Sequence, residues 1–108
     1  MENKENLKMT NAVWFISYKL VKGASIEDFL LAQEKCNNKV LSKKKGFISW
    51  KVLRDGDTWV DLCSWETMED AKNAESNDGE TNPVAQKFYS FINFNSLKMQ
   101  SFSVEKSY

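Results

Sequence analysis

An α+β domain in the order β-α-β-β-α-(α)-β is what this 108-residue sequence predicts, and three observations carry the prediction. The alternating run Thr58-Trp59-Val60-Asp61-Leu62-Cys63-Ser64 passes directly into Trp65-Glu66-Thr67-Met68-Glu69-Asp70-Ala71, which reads as a strand turning into a helix. Asp55-Gly56 stands just before that run, a pair that tolerates the positive φ angles of a tight hairpin. Ala12 to Val21 is rich in β-formers and carries apolar residues on both alternating sets.

The elements follow in order. In the first strand, Trp14, Ile16, Tyr18 and Leu20 share one side and Val13, Phe15 and Val21 the other, so both faces want cover. After Gly23, Ser25 is an N-cap with Glu27 and Asp28 in the first turn, and Ile26, Phe29, Leu30, Gln33, Asn37 and Val40 keep helical spacing. The helix ends near Lys43-Lys44-Lys45-Gly46, where lysines suit the negative end of the dipole and glycine suits a left-handed terminus.

Phe47 to Arg54 is the second strand, Asp55-Gly56 the turn and Thr58 to Trp65 the returning antiparallel strand. Thr67 caps a second helix over Met68 to Asn77, and Asp70 complements its first turn. Asp78 to Asn82 is a loop, and Asn82-Pro83 opens a short helix with an apolar stripe of Val84, Phe88, Phe91 and Ile92. Ser96 to Glu105 alternates again as the last strand. This is the ferredoxin-like arrangement, a four-stranded antiparallel sheet with helices on one face. The uncovered apolar face is most simply buried against the same face of a second copy, so a homodimer is predicted.

Composition narrows the functions. The length suits one domain, read as a flexible leader over residues 1–11 and a single domain over 12–108. Residues 1–11 lack the apolar centre of a secretory signal, and no apolar run approaches the roughly 20 residues of a membrane helix, so a cytoplasmic, non-membrane protein is the default expectation. A formal net charge of zero argues against nucleic-acid binding and suits a small, roughly neutral molecule. Lys45-Gly46-Phe47-Ile48-Ser49-Trp50 imitates an RNA-recognition motif, but it lies on the second strand rather than the third, and Ser49 replaces the stacking aromatic. Cys36 and Cys63 have no metal-ligand spacing and read as reduced, packed thiols. The chain has no histidine, which removes Ser-His and Cys-His nucleophiles, imidazole-bound zinc and histidine-ligated haem.

Gly46-Phe47 opening the second strand, Leu53-Arg54-Asp55-Gly56 at the hairpin and Trp65 to Ala71 at the strand-to-helix junction resemble the antibiotic-biosynthesis-monooxygenase-like group of the dimeric α/β-barrel superfamily. The resemblance spans about Ala12 to Val104. It implies two sheets facing each other across a dimer, with a pocket in each subunit between its sheet and helices. It further implies a monooxygenase that uses neither metal nor bound organic cofactor and oxidises aromatic phenols through the substrate's own carbanion. The family's pattern places a tryptophan where this chain has Trp65 and an asparagine where it has Asp61. Haem-degrading members use a histidine ten residues after that tryptophan; Glu75 stands there, and haem degradation is rejected.

The candidate catalytic residues are therefore Asp61 and Trp65. Asp61 shares a strand face with Trp59, Cys63 and Trp65; buried there it would favour its protonated form and exchange a proton, or else it pairs with Lys51 or Arg54 across the strand or lies exposed near the dimer edge. Trp65 either walls the pocket or fills the junction. Tyr18 and Trp50, on neighbouring strands, and Phe88 and Tyr89, on the short helix, are the candidate substrate-binding residues, with Phe91 and Phe94 completing a lid; the alternative is that the first two fill the barrel and the helix stripe is core. The expected function is oxidation of a small hydrophobic, aromatic compound; the alternative is a non-catalytic dimer that binds a small apolar ligand or serves a structural role.

Overall fold

The computed structural model describes residues 9–75 and 81–108. Its elements are β1 (Ala12–Leu20), α1 (Ile26–Lys39), β2 (Phe47–Asp55), β3 (Thr58–Trp65), α2 (Met68–Ala74), α3 (Pro83–Tyr89) and β4 (Ile92–Ser103), with a 3₁₀ turn at Leu41–Lys43. The four strands form one antiparallel sheet in the order β2-β3-β1-β4. Alternation decides the faces. Trp14 and Tyr18 of β1 and Trp59, Asp61, Cys63 and Trp65 of β3 are buried beneath the helices. Phe15, Leu53 and Phe102 belong to the other alternating set and lie exposed on the open face.

Local sequence explains the helix starts. Ser25 accepts from Asp28 N at 3.2 Å, Thr67 from Asp70 N at 2.9 Å, and Asn82 from the amides of Val84 and Ala85, with Pro83 in the first turn where its missing N–H is harmless. Gly46 takes a φ of 81°, and a Cβ there would collide with the Asp70 carboxylate. The junction after β3 and the entry to β2 are thereby packed together, and Glu66 N donates to Gly46 O at 2.8 Å.

Several expectations are corrected. Of the expected α1 stripe Phe29, Gln33 and Val40 are buried, but Ala32 and Cys36 complete it, while Ile26 and Leu30 are exposed. Two apolar stripes coexist on that helix, and the one carrying small Ala32 and Cys36 allows the closer approach to the sheet. The hairpin loop is Gly56-Asp57, because Asp55 still pairs with Thr58; only Gly56, at φ 61°, is left-handed there, as in a II′ turn. β4 begins at Ile92 rather than Ser96. A bulge lets it start early: Ser96 Oγ accepts from Lys19 N at 2.8 Å and donates to Asn93 O, replacing ladder bonds that the register shift removes. Asn11, expected to close a flexible leader, is tied to both neighbours of β1, donating to Trp65 O and accepting from Val104 N. Residues 1–8, the rest of that leader, lie outside the described residues, as do residues 76–80, where the end of the second helix and the following loop were expected.

The core divides in two beneath the helices. One cluster, under α2, joins Ala12, Trp14, Cys63, Trp65 and Ala71. The other, under α1 and α3, joins Tyr18, Phe29, Trp59, Phe88 and Ile92. No helix among the described residues is long and apolar enough to cross a membrane.

Candidate functional site

Tyr18 and Asp61 come from the two central strands and meet on the helix-covered face. Asp61 pairs with Ile16 across the ladder and Tyr18 with Trp59, so the two lie diagonally within side-chain reach. The Tyr18 hydroxyl donates to Asp61 Oδ2 at 2.8 Å. From above, Gln33 of α1 donates its Nε2 to Asp61 Oδ1 at 3.0 Å and reaches the Tyr18 oxygen at 3.4 Å. Asp61 is 2% exposed, Tyr18 1% and Gln33 4%, so the whole network is out of water.

Burial without a cation sets the electrostatics. Neutral groups supply both hydrogen bonds to the carboxylate, and desolvation pushes the Asp61 pKa up from 3.8 to about 6, against the opposing pull of Tyr18, Trp50 and Gln33. The Tyr18 hydroxyl is raised well above its ordinary range, first by burial and then by the neighbouring Asp61 charge. The Cys63 thiol is also raised, by burial, by Asp61 and by Cys36. The alternative ion pair does not form. Arg54 pairs across from Trp59, lies 4.8 Å above that ring and donates to Gly56 O, while Lys51 pairs with Leu62 of the other alternating set.

Asp61 and Tyr18 form part of the wall of a cavity of about 300 Å³ between sheet and helices. Trp14, Ile16, Trp50, Cys63, Phe88 and Leu97 line it together with Tyr89, and the exposed Phe94, Met99 and Glu75 stand at its rim. Small residues leave the space: Cys36, Cys63, Ala74 and Ala85 occupy positions where bulkier side chains would fill it. A volume at the lower end of the roughly 300–1,000 Å³ of ligand sites suits a small flat molecule. An apolar chamber with a carboxylate whose pKa approaches neutrality can take a proton from a bound hydroxyl and return it.

Five of the six site residues expected from sequence line this cavity: Asp61, Tyr18, Trp50, Phe88 and Tyr89. Trp65 does not. It is 0% exposed in the cluster under α2, packed at 4.7 Å against Trp14 and at 5.7 Å against Phe47. The junction needs a large filler where strand meets helix, and the tryptophan of that cluster that reaches the cavity is Trp14, whose indole donates to Ala71 O at 3.1 Å. Tyr18 and Trp50 are not on neighbouring strands, since β3 runs between theirs; they flank Asp61 from either side. Phe91 lies outside the cavity wall and packs 6.1 Å from Phe29. Gln33 was not expected in the site, although a polar amide in phase with Phe29 and Cys36 was a readable signal.

No protein-family model and no curated protein matches the sequence significantly. Solved structures do match. A cofactor-independent oxygenase from Streptomyces nogalater, SnoaB, superposes with a TM-score of 0.71 at 12% identity, over 92% of this chain and 97% of its own. The Streptomyces coelicolor monooxygenase ActVA-Orf6, solved with nanaomycin D, gives a TM-score of 0.62 at 12% identity over 92% of this chain and 91% of its own. A dimeric ferredoxin-like protein from an uncultured marine organism gives 0.64 at 11% identity, over 93% and 92%. The fold is that of the antibiotic-biosynthesis monooxygenases. At such identities the likeness establishes fold, and what this version of it can do rests on its own side chains.

Proposed function

We propose that this protein is a monooxygenase acting without metal or bound organic cofactor on a small hydrophobic aromatic compound that carries an ionisable hydroxyl. The observation that carries the reading is Asp61, a buried carboxylate held by neutral donors at the wall of an apolar cavity, with its pKa pushed up to about 6. The shared fold of the two oxygenases supports it.

Asp61 accepts the hydroxyl proton, and the electron pair left on oxygen delocalises onto a ring carbon. That carbon transfers electrons to dioxygen one at a time and a C–O bond forms. Protonated Asp61 delivers its proton to the peroxide. Loss of the ring C–H proton to the carboxylate then expels hydroxide as the O–O bond breaks, leaving a quinone carbonyl, and hydroxide leaves as water. One oxygen atom stays in the product and the other departs with two hydrogens. Trp50, Phe88 and Tyr89 flank the flat ring, while Trp65 acts at a distance by seating Trp14 in the wall.

The open sheet face, with Phe15, Leu53 and Phe102 exposed, is the surface on which a second copy would close the barrel. A native mass spectrum of the purified protein should show twice the chain mass; a monomer would remove this part of the proposal.

The function is tested by oxygen uptake with a panel of hydroxylated naphthalenes and anthracenes. Wild-type protein should consume oxygen with at least one of them, and Asp61→Asn should lose about 100-fold or more in rate while still binding the compound. Binding without oxygen consumption in the wild type would instead identify a non-catalytic small-ligand protein.

A further inference from the structure

Among the described residues that line the cavity, Trp50 carries a buried polar atom without a hydrogen-bond partner. Its Nε1–H is shut off from solvent and has no acceptor among the described residues. A buried N–H left without an acceptor is destabilising, and folded proteins rarely keep one without a reason. The indole is also fixed. Its ring stands edge-on to Phe88 at 5.4 Å and 76°, and its backbone pairs with Cys63, one register step along the same face from Asp61. The N–H lies close enough to the Asp61 carboxylate to favour its ionised form, yet outside hydrogen-bonding geometry.

The two donors that meet Asp61 are engaged with it. Tyr18 and Gln33 direct their protons at Asp61 itself. An ionised carboxylate accepts hydrogen bonds and cannot donate one to a developing oxyanion. A base alone would therefore leave the new negative charge on the substrate without a partner in a water-poor chamber, where such a charge is costly.

We propose that the Trp50 indole N–H is the oxyanion donor of this cavity and that its ligand is a phenol whose single hydroxyl oxygen meets Trp50 and Asp61 together. This rests on the reading of the cavity as an aromatic oxygenation site and names the atom that the site recognises. The phenol O–H donates to the Asp61 carboxylate; as the proton crosses, the O–H bond of the phenol breaks and one forms on Asp61. The electron pair stays on the phenol oxygen, which accepts the Trp50 N–H. An aryl ether, with no proton to give, would lose both contacts in their charged form.

The test uses 4-nitrophenol, whose ionised form absorbs at longer wavelength, and its ether 4-nitroanisole. Titratable groups facing the site are Asp61, Tyr18, Cys63 and Cys36, with Lys44, Glu75 and Tyr89 also in the lining. Wild type and Trp50→Phe share all of them, so a difference between the two reports the indole. Wild type should bind nitrophenol at least tenfold more tightly than nitroanisole. In Trp50→Phe the bound nitrophenol should ionise about one pH unit higher, roughly tenfold less phenolate at fixed pH, and the preference over the ether should collapse.

A second measurement needs no variant fold. In the ¹⁵N spectrum of the native protein, the Trp50 indole resonance should move downfield with nitrophenol and stay in place with nitroanisole. An unmoved indole resonance, an unchanged bound pKa in Trp50→Phe, or failure of both probes to enter the cavity would overturn the proposal. If the indole responds but no phenol drives oxygen uptake, the donor stands and the oxygenase reading falls. Oxygen uptake with an unmoved indole gives the reverse.

Discussion

The two clusters beneath the helices are built from the same strands at the same two-residue spacing, yet one is filled around Trp65 and the other opens into a hollow that begins where the two meet, at Trp14 and Cys63. Under α2, Trp14 and Trp65 pack with their rings tilted at 50°, beside Ala12 and Ala71, all nearly or fully buried. Under α1 and α3, Tyr18, Cys36, Ala85, Phe88 and Ile92 border a chamber whose wall holds a carboxylate and a hydroxyl, with the Gln33 amide bound behind them. The filled cluster gains the usual stability of dense apolar packing. The hollow one forgoes part of that gain and buries an acid, the arrangement on which the proposed function rests.

Substitutions that exchange the characters of the two clusters should break the comparison. Trp65→Ala opens the filled cluster and should lower unfolding stability in urea by about 3–5 kcal/mol, the range for truncating a buried aromatic. If it instead left stability intact and abolished ligand binding, Trp65 would belong to the site after all. Asp61→Asn acts in the opposite sense. The folded chain holds the Asp61 proton up to about pH 6 and the unfolded chain releases it near 3.8, so between these values stability falls as pH rises. At pH 8 the asparagine should therefore raise stability by up to about 3 kcal/mol, with the gain fading as the pH drops towards 4. Urea titrations at a series of pH values would show this slope in the wild type and its loss in the variant.

Smaller effects sharpen the boundary. Gln33→Leu removes a donor from the Asp61 carboxylate and should cost about 1–2 kcal/mol at pH 8, while moving the acid limb of any activity profile to higher pH. A core filler would change stability and leave the profile in place. Thr67→Ala loses the cap of α2, beside the filled cluster, and should cost about 1 kcal/mol with no change in ligand affinity.

Strand alternation made much of this legible. Asp61 shares the covered face of β3 with Trp59 and Cys63 because side chains repeat every two residues, and Tyr18 follows from Trp14 in the same way on β1. The caps at Ser25, Thr67 and Asn82 were equally local. What escaped depends on shape between elements. Helical spacing put Phe29, Gln33 and Val40 on one stripe, but it could not show that Ala32 and Cys36 complete that stripe in place of Ile26 and Leu30, or that Gln33 meets Asp61. The same limit hid the exchange of Trp65 for Trp14 at the cavity wall. Both tryptophans face the helices, and which one meets open space is set by where Ala74, Ala85 and the cysteines fail to fill it. The early start of β4 rests on Ser96 and Asn93 side chains standing in for ladder bonds, which periodicity does not register.

The difference between the clusters comes to a point at one proton. We would label the protein with ¹³C at aspartate carboxyls, assign Asp61 by its loss in Asp61→Asn, and follow its chemical shift with pH. Titration near pH 6 would establish a desolvated acid poised for proton transfer at the cavity wall. Titration near 4, the value of an ordinary solvated aspartate, would show that water or a cation reaches the carboxylate and would remove the distinction between the hollow cluster and the filled one.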